Sequence, residues 1–182
     1  MLKRHLACIA FALVAVGLVS CDDASETGRT IVAINDFNGG APVQSDVLFN
    51  NGTDPPYVPE DIIPVSFTAR YYNGFVTGVT HSQVVIDRYH IDWTRTDGGT
   101  GALASRDEAA SITLTVGDQT DASLRLTTWT DKTGPILAPL VGSLNAVVMR
   151  ADVTFFGREV GTTKEVELKA SVSVDFADLA NN

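Results

Sequence analysis

Over residues 164–176 the chain alternates without a break. Val166, Leu168, Ala170, Val172, Val174 and Phe176 are apolar and fall on even positions, while Glu165, Glu167, Lys169, Ser171, Ser173 and Asp175 fall on odd ones. A period of two places every apolar side chain on one face of an extended strand and every polar one on the other. A helix, with 3.6 residues per turn, would scatter the same residues around its circumference. The preceding run, residues 145–156, repeats the pattern: Val147, Met149, Ala151, Val153 and Phe155 share one face, and Arg150, Asp152 and Thr154 the other. Between the two runs, Gly157 and Gly161 supply a turn, so the pair is expected to form a long antiparallel hairpin that closes the domain.

Earlier segments carry the same signal less regularly. Val65, Phe67, Ala69 and Tyr71 share a face, and Ile112, Leu114 and Val116 form another short run. Leu124 and Leu126 mark a further strand, and residues 30–34 and 47–49 read as short edge strands. Within residues 83–96 the apolar phase begins on Val84 and Ile86 and ends on Tyr89, Ile91 and Trp93, which predicts a β-bulge near Asp87 and Arg88. Residues 105–110 are read as a single turn of helix, and residues 130–139, with Gly134, Pro135 and Pro139, as a loop. Seven to nine closely spaced strands predict an all-β domain over residues 30–182. Its expected form is an antiparallel, immunoglobulin-like β-sandwich, with a closed barrel as the alternative. The Cys…Trp…Cys pattern of antibody domains is absent. A membrane-spanning barrel is disfavoured because the outward face of the last hairpin is charged.

The N-terminus has a separate logic. Lys3 and Arg4 precede an uncharged run from Leu6 to Ser20. A positive start followed by roughly 7–15 apolar residues is the pattern of a secretory signal. The run is short of the about 20 apolar residues that a spanning helix needs. It ends in Leu18-Val19-Ser20-Cys21, which resembles the lipobox of bacterial lipoproteins. That resemblance implies cleavage after Ser20 and acylation of Cys21 by two or three chains, enough for firm anchoring to a membrane. Residues 22–29 (Asp-Asp-Ala-Ser-Glu-Thr-Gly-Arg) then read as a polar tether. The closing segment, Val174-Asp175-Phe176-Ala177-Asp178, is similar to the end of uncharacterised bacterial lipoproteins with immunoglobulin-like domains. This implies a sandwich fold and a cell-envelope location, and it brings no catalytic residues. In enteric bacteria an Asp after the lipidated Cys disfavours the outer membrane. Asp22 stands there, and the choice between inner and outer membrane stays open.

Processing at Ser20 would take 20 residues from the chain of 182 and leave 162, enough for one domain. It would also remove Lys3 and Arg4 from 13 basic residues, leaving 11 against 22 acidic ones. So acidic a surface repels phosphate backbones, and nucleic acid is not an expected partner. The two cysteines are Cys8, lost with the signal, and Cys21, acylated. The folded domain therefore carries no disulfide and no thiol chemistry.

Candidates for chemistry are few. No HExxH, GxSxG, Walker A or EF-hand loop occurs, and past the signal only His81 and His90 remain. His90 and Asp92, two apart on a strand, share a face and with a serine would make a triad. No nucleophile elbow accompanies them, and the face reads as solvent-exposed. Residues 35–63 are rich in Asn, Asp, Gly and Pro, and Asp36, Asp46 and Asp54 are the candidate Ca²⁺ ligands there, with Asp61 nearby. The same residue types are also those of ordinary turns. Tyr57, Tyr71, Tyr72, Phe75, Trp93 and Trp129 are candidates for a glycan platform. Trp93 is in phase with the core, and Tyr72 and Phe75 at a strand end are the better candidates for a binding surface. The expected function is a membrane-anchored envelope lipoprotein whose domain is non-catalytic and structural, or binds another envelope protein. The alternatives are a Ca²⁺- or glycan-binding module and a hydrolase with dispersed carboxylates.

Overall fold

The computed structural model describes residues 30–50, 52, 54–72, 83–162 and 164–179. Residues 1–20, expected to be a signal, Cys21, residues 22–29, expected to be a tether, Phe75 and His81 lie outside them. Eight strands run in chain order among the described residues: β1 (Thr30–Phe37), β2 (Val43–Asp46), β3 (Asp61–Tyr71), β4 (Gln83–Arg95), β5 (Arg106–Thr115), β6 (Gln119–Thr127), β7 (Ala146–Glu159) and β8 (Glu165–Ala177). One short helix, α1 (Trp129–Thr133), follows β6. The strands form a three-stranded sheet in the order β1-β3-β6 and a five-stranded sheet in the order β2-β8-β7-β4-β5. The fold is all-β.

The closing hairpin forms as the alternation requires. β7 and β8 pair antiparallel from Ala146↔Ala177 to Arg158↔Glu165. Val147, Met149, Ala151, Val153 and Phe155 are buried, as are Val172, Val174 and Phe176 on the inward face of β8. They meet Val65, Phe67, Leu124 and Leu126 of the smaller sheet in a single core. Phe155 is its centre: its ring stands edge-on to Phe67 at 5.2 Å and 89°, and it also meets Phe37 and Tyr89.

The phase change in β4 is a bulge. Pairing with both neighbours shifts register between Ile86 and Arg88. Val84 and Ile86 before it and Tyr89, Ile91 and Trp93 after it are all buried, so the extra residue keeps the strand's apolar side chains on the core side. Trp93 packs on Phe176 at 5.8 Å, which makes it a core residue rather than part of a glycan platform.

Four expectations are corrected. The domain is not wholly antiparallel: β2 pairs parallel to the end of β8, Val43↔Val174 through Asp46↔Ala177. No hairpin links these two strands, so nothing local dictates their direction. Inward burial of Val43 and Ser45 beside Val174 and Phe176 selects the pairing. The edge strand expected at residues 47–49 lies at residues 43–46 instead, and Phe49 only bridges to Tyr57. Residues 105–110 are not helical. Arg106 begins β5, where His90↔Asp107 and Arg88↔Ala109 are in register, and pairing with β4 overrides the local helix preference of Glu108-Ala109-Ala110. Within the expected loop 130–139, α1 forms on a capping box, with the Thr128 side chain and the Asp131 backbone and side chain satisfying each other's end of the turn.

Candidate functional site

The strands define two ends of the molecule. At one end lie Thr30, Tyr71, Gln83, Thr115 and Glu165, brought together by the pairings Thr30↔Tyr71, Gln83↔Thr115 and Arg158↔Glu165. At the other lie Asp46, Asp61, Thr127, Ala146 and Ala177, with α1 beside them.

The densest polar cluster sits at the α1 end. Lys132 of α1 is buried, and its Nζ donates to the Asp46 carbonyl at 2.8 Å and to Asp61 Oδ1 at 3.0 Å. Asp61 Oδ2 accepts the Ser45 hydroxyl at 2.6 Å and the Thr127 hydroxyl as well. Burial pulls the Lys132 pKa down, and the charges of Asp61, Asp46 and Glu60 pull the other way. A lysine, a serine and an aspartate in contact superficially suggest nucleophilic chemistry. Ser45, however, is fully buried, so no substrate reaches its hydroxyl, which donates to Asp61 as a contact within the fold. The cluster joins β2 of the larger sheet, β3 and β6 of the smaller one, and α1.

A second network lies above it. Arg106 Nη1 donates to Asp131 Oδ2 at 2.6 Å and Nε to Glu108 Oε1 at 3.0 Å, while Nη2 reaches the Leu126 carbonyl at 2.7 Å. Arg125 donates to the other Glu108 oxygen at 2.8 Å. Partial burial works to raise the Glu108 pKa, but the hydrogen bonds from Arg125 and Arg106 outweigh it and hold the carboxyl below its ordinary value. Desolvation and the Glu108 charge push the Tyr89 phenol up, and its hydroxyl donates to the Arg125 carbonyl at 3.2 Å.

Between these groups and the β5–β6 turn is a cleft of about 520 Å³. β5 and β6 are consecutive, yet each is the outermost strand of a different sheet, so the cleft runs between two strand edges. Its walls carry small side chains, Ala110, Ser111, Ala122 and Ser123, over Tyr89 and Phe155. Glu60 and Glu108 both line it. Their roles differ: each Glu108 oxygen is taken by a guanidinium, and Glu60 stands exposed. A paired acid and base need one carboxyl kept protonated, and the two arginines do the opposite to Glu108.

The other sequence candidates disperse. Asp36 accepts the Gly39 amide at 3.0 Å and so fixes the turn through Asn38, Gly39 and Gly40, where all three residues have positive φ. Asp46 Oδ1 accepts the Leu48 and Leu179 amides, and Asp54 is exposed on a separate stretch. Among the described residues no group of three or more His, Cys, Asp or Glu is placed to hold a metal ion. His90 is flanked by Asp107 on Nδ1 at 3.1 Å and Asp92 on Nε2 at 3.3 Å, so neither ring nitrogen faces a serine. Tyr57 and Trp129 are exposed at the α1 end and Tyr72 at the Thr30 end, so these aromatics form no shared platform. Asp61 was legible only as one acid in a polar stretch, and Lys132 only through the capping box one residue before it. Compared by sequence, the chain matches no protein-family model and no curated protein. Among the described residues, no helix is long and apolar enough to cross a membrane.

Proposed function

We propose that the chain is a lipid-anchored envelope lipoprotein whose immunoglobulin-like β-sandwich is a non-catalytic protein-docking module. One observation carries the reading. The groups best suited to chemistry are each held in contacts within the fold, Lys132 by Asp61, Glu108 by two arginines and His90 by two aspartates. The cleft between the β5 and β6 edges, by contrast, is walled by small residues and left unfilled. A strand edge presents backbone donors and acceptors to whatever lies beside it, and an extended peptide is the partner that matches them. The aromatic floor of Tyr89 and Phe155 suits an apolar side chain of that peptide. The lipobox-like end of the first 21 residues supports the envelope location.

Two measurements test this. Labelled fatty acid should enter the wild-type chain in a bacterial host but not Cys21→Ser, which should also leave the membrane fraction. Photo-crosslinking residues placed at Ser111 and Ser123 should trap a protein partner in intact cells more strongly than one at Ser173, on the outer face of β8. Equal trapping at all three positions would remove the docking role.

A further inference from the structure

The chain enters the domain at a fixed place. Thr30 begins β1 opposite Tyr71, and its hydroxyl donates to Glu159 Oε1, at the end of β7, at 2.8 Å. Thr30 is 3% exposed and Glu159 1%, so this contact holds the entry point against both sheets. Eight residues lie between Cys21 and Thr30, a reach of at most about 30 Å. The thirteen residues of β4 run for about 43 Å between the two ends. An acyl anchor on Cys21 therefore brings the Thr30 end to the bilayer and leaves the α1 end pointing away when the domain stands upright.

The side chains at the Thr30 end suit that position. Tyr72 is 69% exposed and Val160 51% exposed, one at the tip of each sheet. Arg70, Arg158 and Lys164 are exposed around them, interspersed with the exposed acids Asp87, Asp118 and Glu165. Tyrosine settles at the level of lipid headgroups because its ring is apolar and its hydroxyl polar. Arginine and lysine near the surface are drawn to anionic lipid. Trp129, Val141 and Leu144 are also exposed, but at the α1 end, where the tether does not bring a membrane.

We propose that the Thr30 end is a bilayer-contact surface, with Tyr72 and Val160 at the headgroup level and Arg70, Arg158 and Lys164 against anionic lipid. The proposal rests on the reading of Cys21 as the acylated residue. Contact at this end holds the domain upright and turns the α1 end toward the cell envelope's other components.

The test uses the full chain, processed in a bacterial host and reconstituted into vesicles of phosphatidylethanolamine with phosphatidylglycerol, or of phosphatidylcholine alone. Acylation blocks the Cys21 thiol, so a cysteine introduced by Val160→Cys, Tyr72→Cys or Leu144→Cys is the sole labelling site for a polarity-sensitive fluorophore. Labels at 160 and 72 should brighten severalfold and shift to the blue in the anionic vesicles, with a smaller response in phosphatidylcholine, and the label at 144 should respond as it does in water. Arg158→Glu with Lys164→Glu should remove most of the anionic preference at 160. Mass spectrometry of the N-terminal peptide separates the two ideas. An acylated Cys21 with equal responses at 160, 72 and 144 overturns the contact surface and leaves the anchor standing. An unmodified Cys21 overturns both.

Discussion

Gly157 shows how tightly single positions are constrained. It lies on β7 beside the β4 bulge, and a Cβ there would stand 2.3 Å from the Val85 carbonyl oxygen and 2.9 Å from the Ile86 Cα. Both obstacles are backbone, and neither yields without opening the β4–β7 ladder. Gly157→Ala should therefore cost about 1–3 kcal/mol in urea unfolding, the range of overpacked sites; a loss below about 0.5 kcal/mol, the level of neutral surface changes, would show that the strands spread freely here. Asp97 illustrates a different constraint. Its carboxylate takes Arg95 Nε at 2.7 Å and the Gly99 amide at 2.9 Å. The Arg95 hydrogen bond, followed by that of Gly99, draws its pKa from 3.8 to about 2. A depressed carboxyl stabilises the fold above its unfolded pKa, and the contribution disappears as pH falls through the folded one. The expected signature is an acid limb between about pH 4 and pH 2 that flattens in Asp97→Asn. Unchanged acid melting in that variant would detach the loop from the pH response.

Elements are joined by the polar cluster at the α1 end. Strand pairing links β2 only to the larger sheet and β3 and β6 only to the smaller one. Lys132 and Asp61 connect all three, because α1 brings the ammonium between the Asp46 carbonyl and the Asp61 carboxylate. Removing one partner of a buried pair leaves a charge without compensation, at about 3–5 kcal/mol. Lys132→Met is expected to lose that much, and Asp61→Asn at least as much, because an amide that keeps its oxygen toward Ser45 and Thr127 turns its NH2 donor to the buried ammonium. A double-mutant cycle of the two should give a coupling energy of about 0.5–3 kcal/mol, the range for groups in contact. Strict additivity would mean that α1 is held by its apolar neighbours alone.

At the scale of the whole molecule, the two sheets share one core but are closed unequally along their sides. β4 and β7 have a bonded neighbour on each flank, whereas β5 and β6 each leave one edge to the cleft. Hydrogen exchange should follow this: amides of β7 and β4 are expected to exchange last, and the outer edges of β5 and β6 early. A peptide bound in the cleft should slow β5 and β6 selectively. Uniform protection of all eight strands would show that opening is global and that the cleft edges have no separate freedom. Polarity also differs along the long axis, with the entry at Thr30 and its neighbouring cations at one end and the lysine–aspartate cluster at the other.

Much of this was legible in the chain because it follows from periodicity. The closing hairpin, its buried face, the bulge in β4 and the core position of Trp93 all come from a two-residue repeat that shows which side chains leave water. What depended on distant partners was not legible. The parallel pairing of β2 with β8 joins segments about 130 residues apart, and no local rule sets its direction. Arg106 to Ala110 favours a helix taken alone and becomes a strand because β4 offers it an edge. Asp61 looked like any acid in a polar loop until folding placed Lys132, Ser45 and Thr127 around it. Local pattern determined which faces are buried; the tertiary structure decided which polar groups meet inside, since a buried charge is tolerated only where the rest of the fold supplies its partner.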